Sequence, residues 1–188
     1  MAAQPSYLDE RDACGVGFVV DIKGRASHNT LQESRHMLVH MTHRGGCRCD
    51  DGDDNDDGIP TGDGAGVLTG LPHNLYAKFL REQLGDDQFQ LISGRYATGI
   101  LFLDGDLEKV ELIKKIFCEY AVKCKCNVIA WRTVPGNPKC IGRTARQCQP
   151  TILQVFISSE FQDKKQFQKQ IYLLRKSSSK GIPAQGHK

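Results

Sequence analysis

No apolar run in this 188-residue chain approaches the roughly 18 residues that a membrane-spanning helix needs. The first thirteen residues carry Asp9, Glu10, Arg11 and Asp12 and lack an apolar core, so they do not read as a signal peptide or an anchor. Net charge is also scarce. At +3 it is too small to propose nucleic acid or an anionic membrane as a partner. With no secretory signal, the eight cysteines argue for reduced thiols in a cytosol-like, cytoplasmic setting, although an even count by itself also permits disulfides. A composition of 39% hydrophobic and 25% charged residues reads as soluble and globular. The length suits one domain with a substantial core, or a piece of a larger one.

Several site motifs are begun and left incomplete. Cys118, Cys124, Cys126, Cys140 and Cys148 are separated by five, one, thirteen and seven residues, which matches no ferredoxin-like run. Zinc sites favour cysteine pairs about two to four residues apart, and Cys-x-Cys substitutes poorly. Gly62, Gly64 and Gly66 superficially suggest a phosphate cradle, but no Lys-Ser/Thr follows and Asp63 would repel phosphate. Tight backbone packing explains those glycines better.

His36, His40 and His43 have helical spacing, yet no carboxylate completes a metal set, and ordinary helix histidines are the favoured account. Asp50, Asp51, Asp53, Asp54, Asp56 and Asp57 crowd into eight positions. Asp53, Asn55, Asp57 and Gly58 imitate the first half of a calcium loop, but Gly64 stands where the bidentate glutamate belongs. Such a run reads as a solvated surface insertion, with a calcium-responsive module as a weaker alternative.

Periodicity supplies an element order. Strands are predicted over residues 13–20, 67–71, 96–103, 128–131 and 152–157. Helices are predicted over 30–42, where Thr30 and Glu33 have capping-box spacing, and over 74–84, ending at Gly85. Two more are predicted over 107–120, with Val110, Ile113, Phe117 and Tyr120 inward, and over 163–176. The helix over 74–84 is expected to bury Leu75, Phe79, Leu80 and Leu84, and the one over 30–42 to deliver His43 and Arg44 at its end. Residues 177–188 have no apolar period and are expected to be disordered. Interleaved strands and helices make an α/β or α+β layer domain.

The stretch from Ala13 to Val20 stands apart, because a cysteine opens a short apolar strand directly behind a charged leader. Cys14, Val16, Phe18 and Val20 would share one face, with Gly15 and Gly17 removing bulk near the sulfur. On spacing alone Cys14 is a small buried hydrophobe. Downstream, however, lie Thr42-His43-Arg44-Gly45-Gly46 and Thr61-Gly62-Asp63-Gly64-Ala65-Gly66. Together the three stretches resemble the glutaminase domain of glutamate synthases, a class II glutamine amidotransferase of the N-terminal-nucleophile hydrolase type. Trp131-Arg132-Thr133-Val134-Pro135, Gln154-Val155-Phe156 and Tyr172-Leu173-Leu174-Arg175-Lys176 extend the likeness over residues 8–176. The acidic run departs from it, since family members usually join the second and third motifs with fewer residues.

The resemblance implies a partial four-layer αββα fold of class α+β, with two antiparallel sheets between helices. It implies a leader over 1–13, an amidotransferase part over 14–176, and a nucleophile at Cys14 exposed as a new terminus when the leader is removed. Arg44 would lie beside it; the alternative for Arg44 is a cation favoured at a helix C-terminus. The implied substrate is L-glutamine, and the groups that bind it are expected beyond residue 188. FMN and an iron-sulfur cluster are implied only for further domains of a glutamate synthase, with none in this segment. The remaining synthase domains or subunit are the implied partners. The alternative is a truncated, catalytically incompetent relative acting only as a fragment or interaction partner.

Overall fold

The structure is a computed structural model that describes residues 15–41, 47–48, 59–60 and 65–186. It divides into two units, residues 1–70 with 137–148, and residues 71–136 with 149–188. In the first unit, helix α1 spans His28–His40, and strands β1 (Cys47–Arg48) and β2 (Ile59–Pro60) pair antiparallel. The second unit contains α2 (His73–Leu84), β3 (Tyr96–Leu103), α3 (Leu107–Lys123) and β4 (Cys126–Thr133). After a 3-10 turn at Pro138–Cys140 and the short α4 (Arg143–Gln147), both in the first unit, the chain returns to the second unit as β5 (Thr151–Ser159) and α5 (Lys164–Gly186).

The second unit is built on one antiparallel sheet in the order β3-β5-β4. β5 is central, and Leu153, Gln154, Val155, Phe156 and Ile157 are all buried. Burial on both faces explains why that strand reads as an almost unbroken apolar run. On one face, Phe117 and Ala121 of α3 and Leu174 of α5 close over Cys126, Val155 and Ile157. On the other, Leu80 of α2 packs with Phe156, Leu91 and Tyr96, and Tyr76 meets the Phe156 ring edge-on with centroids 5.0 Å apart. Leu80 and Phe156 are wholly removed from water, worth about 1.5–3 kcal/mol each.

Local chemistry sets the element ends. The Asp106 carboxylate accepts the backbone N–H of Glu108 at 2.9 Å and of Lys109 at 3.4 Å, capping α3. Gly85 stops α2 in the left-handed region at φ +64°, where a side chain would be strained. β4 carries a bulge against β5, because Val128 pairs with Ile157 and Ala130 with Phe156, leaving Ile129 as the extra residue.

Several expectations need correction. Residues 15–20 and 67–71 form no strand, and Val16 and Phe18 are 96% and 87% exposed. A strand exists through its ladder, and among the described residues these segments have no ladder partner; the glycines at 15, 17, 66 and 70 weaken them further. Helix α1 begins at His28 because the Ser27 hydroxyl, and not Thr30, is the cap, accepting from the Asn29 N–H at 3.1 Å. In α2, Leu75 and Leu84 are exposed while Tyr76 and Ala77 turn inward. Helix α3 runs three residues past Tyr120, burying Ile116 and Ala121 as well.

The expected disordered tail is helical as far as Gly186. Ser178 is buried, its hydroxyl donating to the Leu174 carbonyl at 2.8 Å, and the Ser179 hydroxyl donates to the Arg175 carbonyl at 2.7 Å. Hydroxyls satisfied against the preceding turn let a polar stretch stay helical and packed. The class is α+β, but the described three-stranded sheet has helices on both faces, and among the described residues the only other sheet is the two-stranded β1-β2 pair.

Candidate functional site

The segment that follows Cys14 turns back on itself at Asp21. The Gly24 N–H donates to the Asp21 carbonyl at 2.8 Å, and the Lys23 N–H to the Asp21 carboxylate at 2.7 Å. Arg25 adds Nε and Nη2 to the other carboxylate oxygen at 3.1 and 2.9 Å. That guanidinium, aided by backbone N–H groups, holds the Asp21 carboxyl below its usual range. Gly24 takes φ +67°, which completes the reversal.

Past the turn, Ser27 starts α1, whose half-buried stripe is Thr30, Ser34, Met37, Leu38 and Met41. The reversal returns this helix to the segment it came from. The Met37 thioether lies in the space that a side chain at residue 17 would fill, so the absence of a side chain at Gly17 permits the contact. Backbone two residues after position 15 is therefore seated on the helix whose cap, Met41, immediately precedes residues 42–46.

Cys14, His43, Arg44, Asp63 and the acidic run 50–57 lie outside the described residues. The structure brings together the segments adjoining Cys14 and Arg44. Sequence reasoning missed the parts that do this: the Asp21-Arg25 bracket, the Ser27 cap and the Gly17-Met37 contact. The turn itself, Asp21-Ile22-Lys23-Gly24-Arg25 leading into the helix, is legible in the sequence and is borne out by the Gly24 N–H bond to the Asp21 carbonyl.

The described cysteines have a different character. Cys118 is half-buried, Cys124 and Cys126 are buried and Cys148 is exposed, all as free thiols. Burial raises the pKa of Cys118, with a hydrogen bond to Trp131 opposing it, and also raises that of Cys124. At Cys126 burial, and then the neighbouring Cys124, push the thiol to about 11. Such thiols stay protonated and are poor nucleophiles at neutral pH. Among the described residues no three His, Cys, Asp or Glu side chains converge to hold a metal ion. These residues therefore do not fit an iron-sulfur cluster. A cavity of about 430 Å³ beside Arg95, Tyr96, Ile129 and Ser158, and another beside β3 and α5, are lined by none of the cysteines.

The profile of the family described as glutamine amidotransferases class-II matches residues 14–188. The chain belongs to that family. It is 37% identical over 185 residues to the NADH glutamate synthase of Saccharomyces cerevisiae, covering 93% of this chain and 8% of the relative. It is 36% identical over 184 residues to the NADH glutamate synthase of Schizosaccharomyces pombe, again 93% of this chain and 8% of the relative. The chloroplastic ferredoxin-dependent glutamate synthase of Oryza sativa subsp. japonica is 34% identical over 170 residues, covering 90% and 10%. The chain thus spans about a tenth of the length of these relatives. No helix among the described residues is long and apolar enough to cross a membrane.

Proposed function

We propose that this chain is the glutaminase portion of a glutamate synthase, releasing ammonia from the side-chain amide of glutamine, with Cys14 as nucleophile. The observation that carries the reading is that the family match begins at Cys14. The seating of Gly17 on Met37 supports it, since it ties the backbone after Cys14 to the helix before Arg44.

The chemistry follows from where the cysteine stands. While Ala13 is attached, the nitrogen of Cys14 is an amide and accepts no proton at neutral pH. Released, it is an α-amine with an ordinary pKa of about 7.7–8.0, close to the thiol at about 8.5. The amine, directly or through water, takes the thiol proton as sulfur attacks the amide carbon. Nitrogen departs as ammonia, a thioester remains, and water hydrolyses it to glutamate and the free thiol. Arg44 supports the charge or geometry of the nucleophile. The leader is residues 1–13, and the fold is part of the αββα arrangement of N-terminal-nucleophile hydrolases. In a complete synthase the ammonia would pass to 2-oxoglutarate, with FMN and iron-sulfur chemistry supplied elsewhere.

Mass spectrometry of the protein from its own cell tests this, the expected result being a chain that begins at Cys14. That chain should be labelled by a glutamine-analogue electrophile, and Cys14→Ala should abolish the labelling. An uncleaved terminus without labelling would reject activity in this form. A second reading, a part that acts only when joined to further polypeptide, is favoured by the exposure of Val16, Phe18 and Leu68. A free Cys14 terminus that labels only after a synthase subunit is added would select it.

A further inference from the structure

The two edges of the three-stranded sheet are not alike. β4 carries its bulge and Arg132, both of which discourage a further strand. β3 runs for eight residues, Tyr-Ala-Thr-Gly-Ile-Leu-Phe-Leu, paired with β5 in unbroken register and without a charge or a proline. On one face of it, Ile100 and Phe102 are 48% and 69% exposed. On the other lies a cavity of about 290 Å³, lined by Ala97, Gly99 and Leu101 of β3 and by Ile171, Leu174 and Ile182 of α5. Among the described residues no strand pairs with the outer side of β3, and a long apolar edge of that kind is a template for another strand.

We propose that β3 pairs with β3 of a second copy of this chain, antiparallel about a two-fold axis at Ile100, so that the two sheets join into one. The sequence of the strand selects this occupant. Residues directly opposite in an antiparallel pair lie on the same face, so a self-pairing must be centred on a residue. Centred on Ile100, Ala97 faces Leu103, Thr98 faces Phe102, Gly99 faces Leu101, and Ile100 meets its symmetry mate. Every small residue then opposes a larger one, and the exposed side chains of one copy cover those of the other. Of the two neighbouring registers, the one centred on Gly99 puts glycine against glycine and requires Tyr96, buried against the α2 side of its own sheet, to face Phe102. The one centred on Leu101 pairs only Gly99 to Leu103 of the strand and sets Thr98 against Asp104. Leu101 and Leu103 of the second copy would extend the apolar face next to the cavity under α5. Such a contact is isologous and closes on itself, giving a dimer and not a filament.

Sedimentation velocity of the full chain over a range of concentrations tests the pairing, with a monomer-dimer equilibrium expected. Ile100→Lys and Ile100→Glu each place like charges opposite one another at the axis and should weaken self-association by at least roughly tenfold, with far-UV circular dichroism unchanged. Mixing the two variants should restore a dimer, now mixed, because the charges become complementary. A chain that stays monomeric throughout, or a dimer that both variants retain, would overturn the proposal. Hydrogen exchange on the unmodified chain gives an independent reading: the β3 amides should gain protection as concentration rises, and protection that does not change with concentration overturns it equally.

Discussion

Tyr120 of α3 fills the space that any side chain at position 181 of α5 would need, its hydroxyl and ring edge lying against the bare Cα of Gly181. The contact fastens the end of α5 to the helix beside it, over residues whose composition suggested disorder. Gly181→Ala adds a methyl group worth up to about 1 kcal/mol in helix propensity, set against an overpacking cost of about 1–3 kcal/mol. A net loss of stability is expected in urea unfolding. In the double variant with Tyr120→Ala the methyl should cost nothing, and a double-mutant cycle that shows additivity would rule out the contact.

The sheet has one polar side chain at its centre. Gln154 is 2% exposed, yet its amide donates to the Thr98 hydroxyl at 2.9 Å and its carbonyl accepts from Arg132 at 3.1 Å, so one side chain bridges three strands. Gln154→Ala should cost about 1–3 kcal/mol from the two lost bonds, with a further loss from the space left behind. Gln154→Leu should cost less, because Thr98 and Arg132 are only half-buried and can turn to water. A Gln154→Leu variant as stable as the parent in chemical denaturation would show that the bonds do not matter, and equal losses in the two variants would show that the space left behind does not.

Stability should also depend on pH in the alkaline range. The Cys126 thiol, held at about 11 by burial and by Cys124, keeps its proton more tightly in the folded chain than in the unfolded one. Its contribution is therefore complete below the unfolded value of about 8.5 and disappears as pH rises through the folded one. Denaturation midpoints should fall between about pH 9 and about pH 11. Cys126→Ala should be less stable at neutral pH but show a shallower alkaline decline.

If the Gly17-Met37 contact positions the segment after Cys14, enlarging residue 17 should disturb the proposed nucleophile. Gly17→Val is expected to slow electrophile labelling of the mature chain by up to about 10²-fold, the scale of a small misplacement of a reacting group. Met37→Ala should restore part of the rate by opening the space. Unchanged labelling in Gly17→Val would separate the contact from the chemistry.

Legibility along the chain follows how locally each element is determined. β3 was read with its observed bounds because an apolar run stands between Gly94 and the Asp104-Gly105 turn, and α2 stops where Gly85 stops it. The strands at 15–20 and 67–71 were misread, since alternation states a preference that only a partner strand can realise. Ser27 lost the cap to Thr30 because the Thr30-Glu33 spacing made a stronger pattern than a lone serine. The end of α5 depends on Gly181 meeting Tyr120, a contact across 61 positions that no local window contains, and on the Ser178 hydroxyl turning back to Leu174. The family was legible because its motifs are short, ordered and specific; how their side chains meet is not written in any one of them.

The bulge at Ile129 decides the fate of a charge. With the extra residue, Arg132 stands opposite Gln154 on the α2 side, its guanidinium 5.6 Å from the centre of the Phe79 ring. Paired without the bulge, the same sequence would bring Arg132 opposite Leu153 and drive a cation into the apolar layer beneath α3 and α5, while Trp131 would swing out of it. Deleting Ile129 should therefore be tolerated better than deleting Trp131, because the first removes only the extra residue and keeps Arg132 opposite Gln154, whereas the second inverts the strand's inside and outside from that point on.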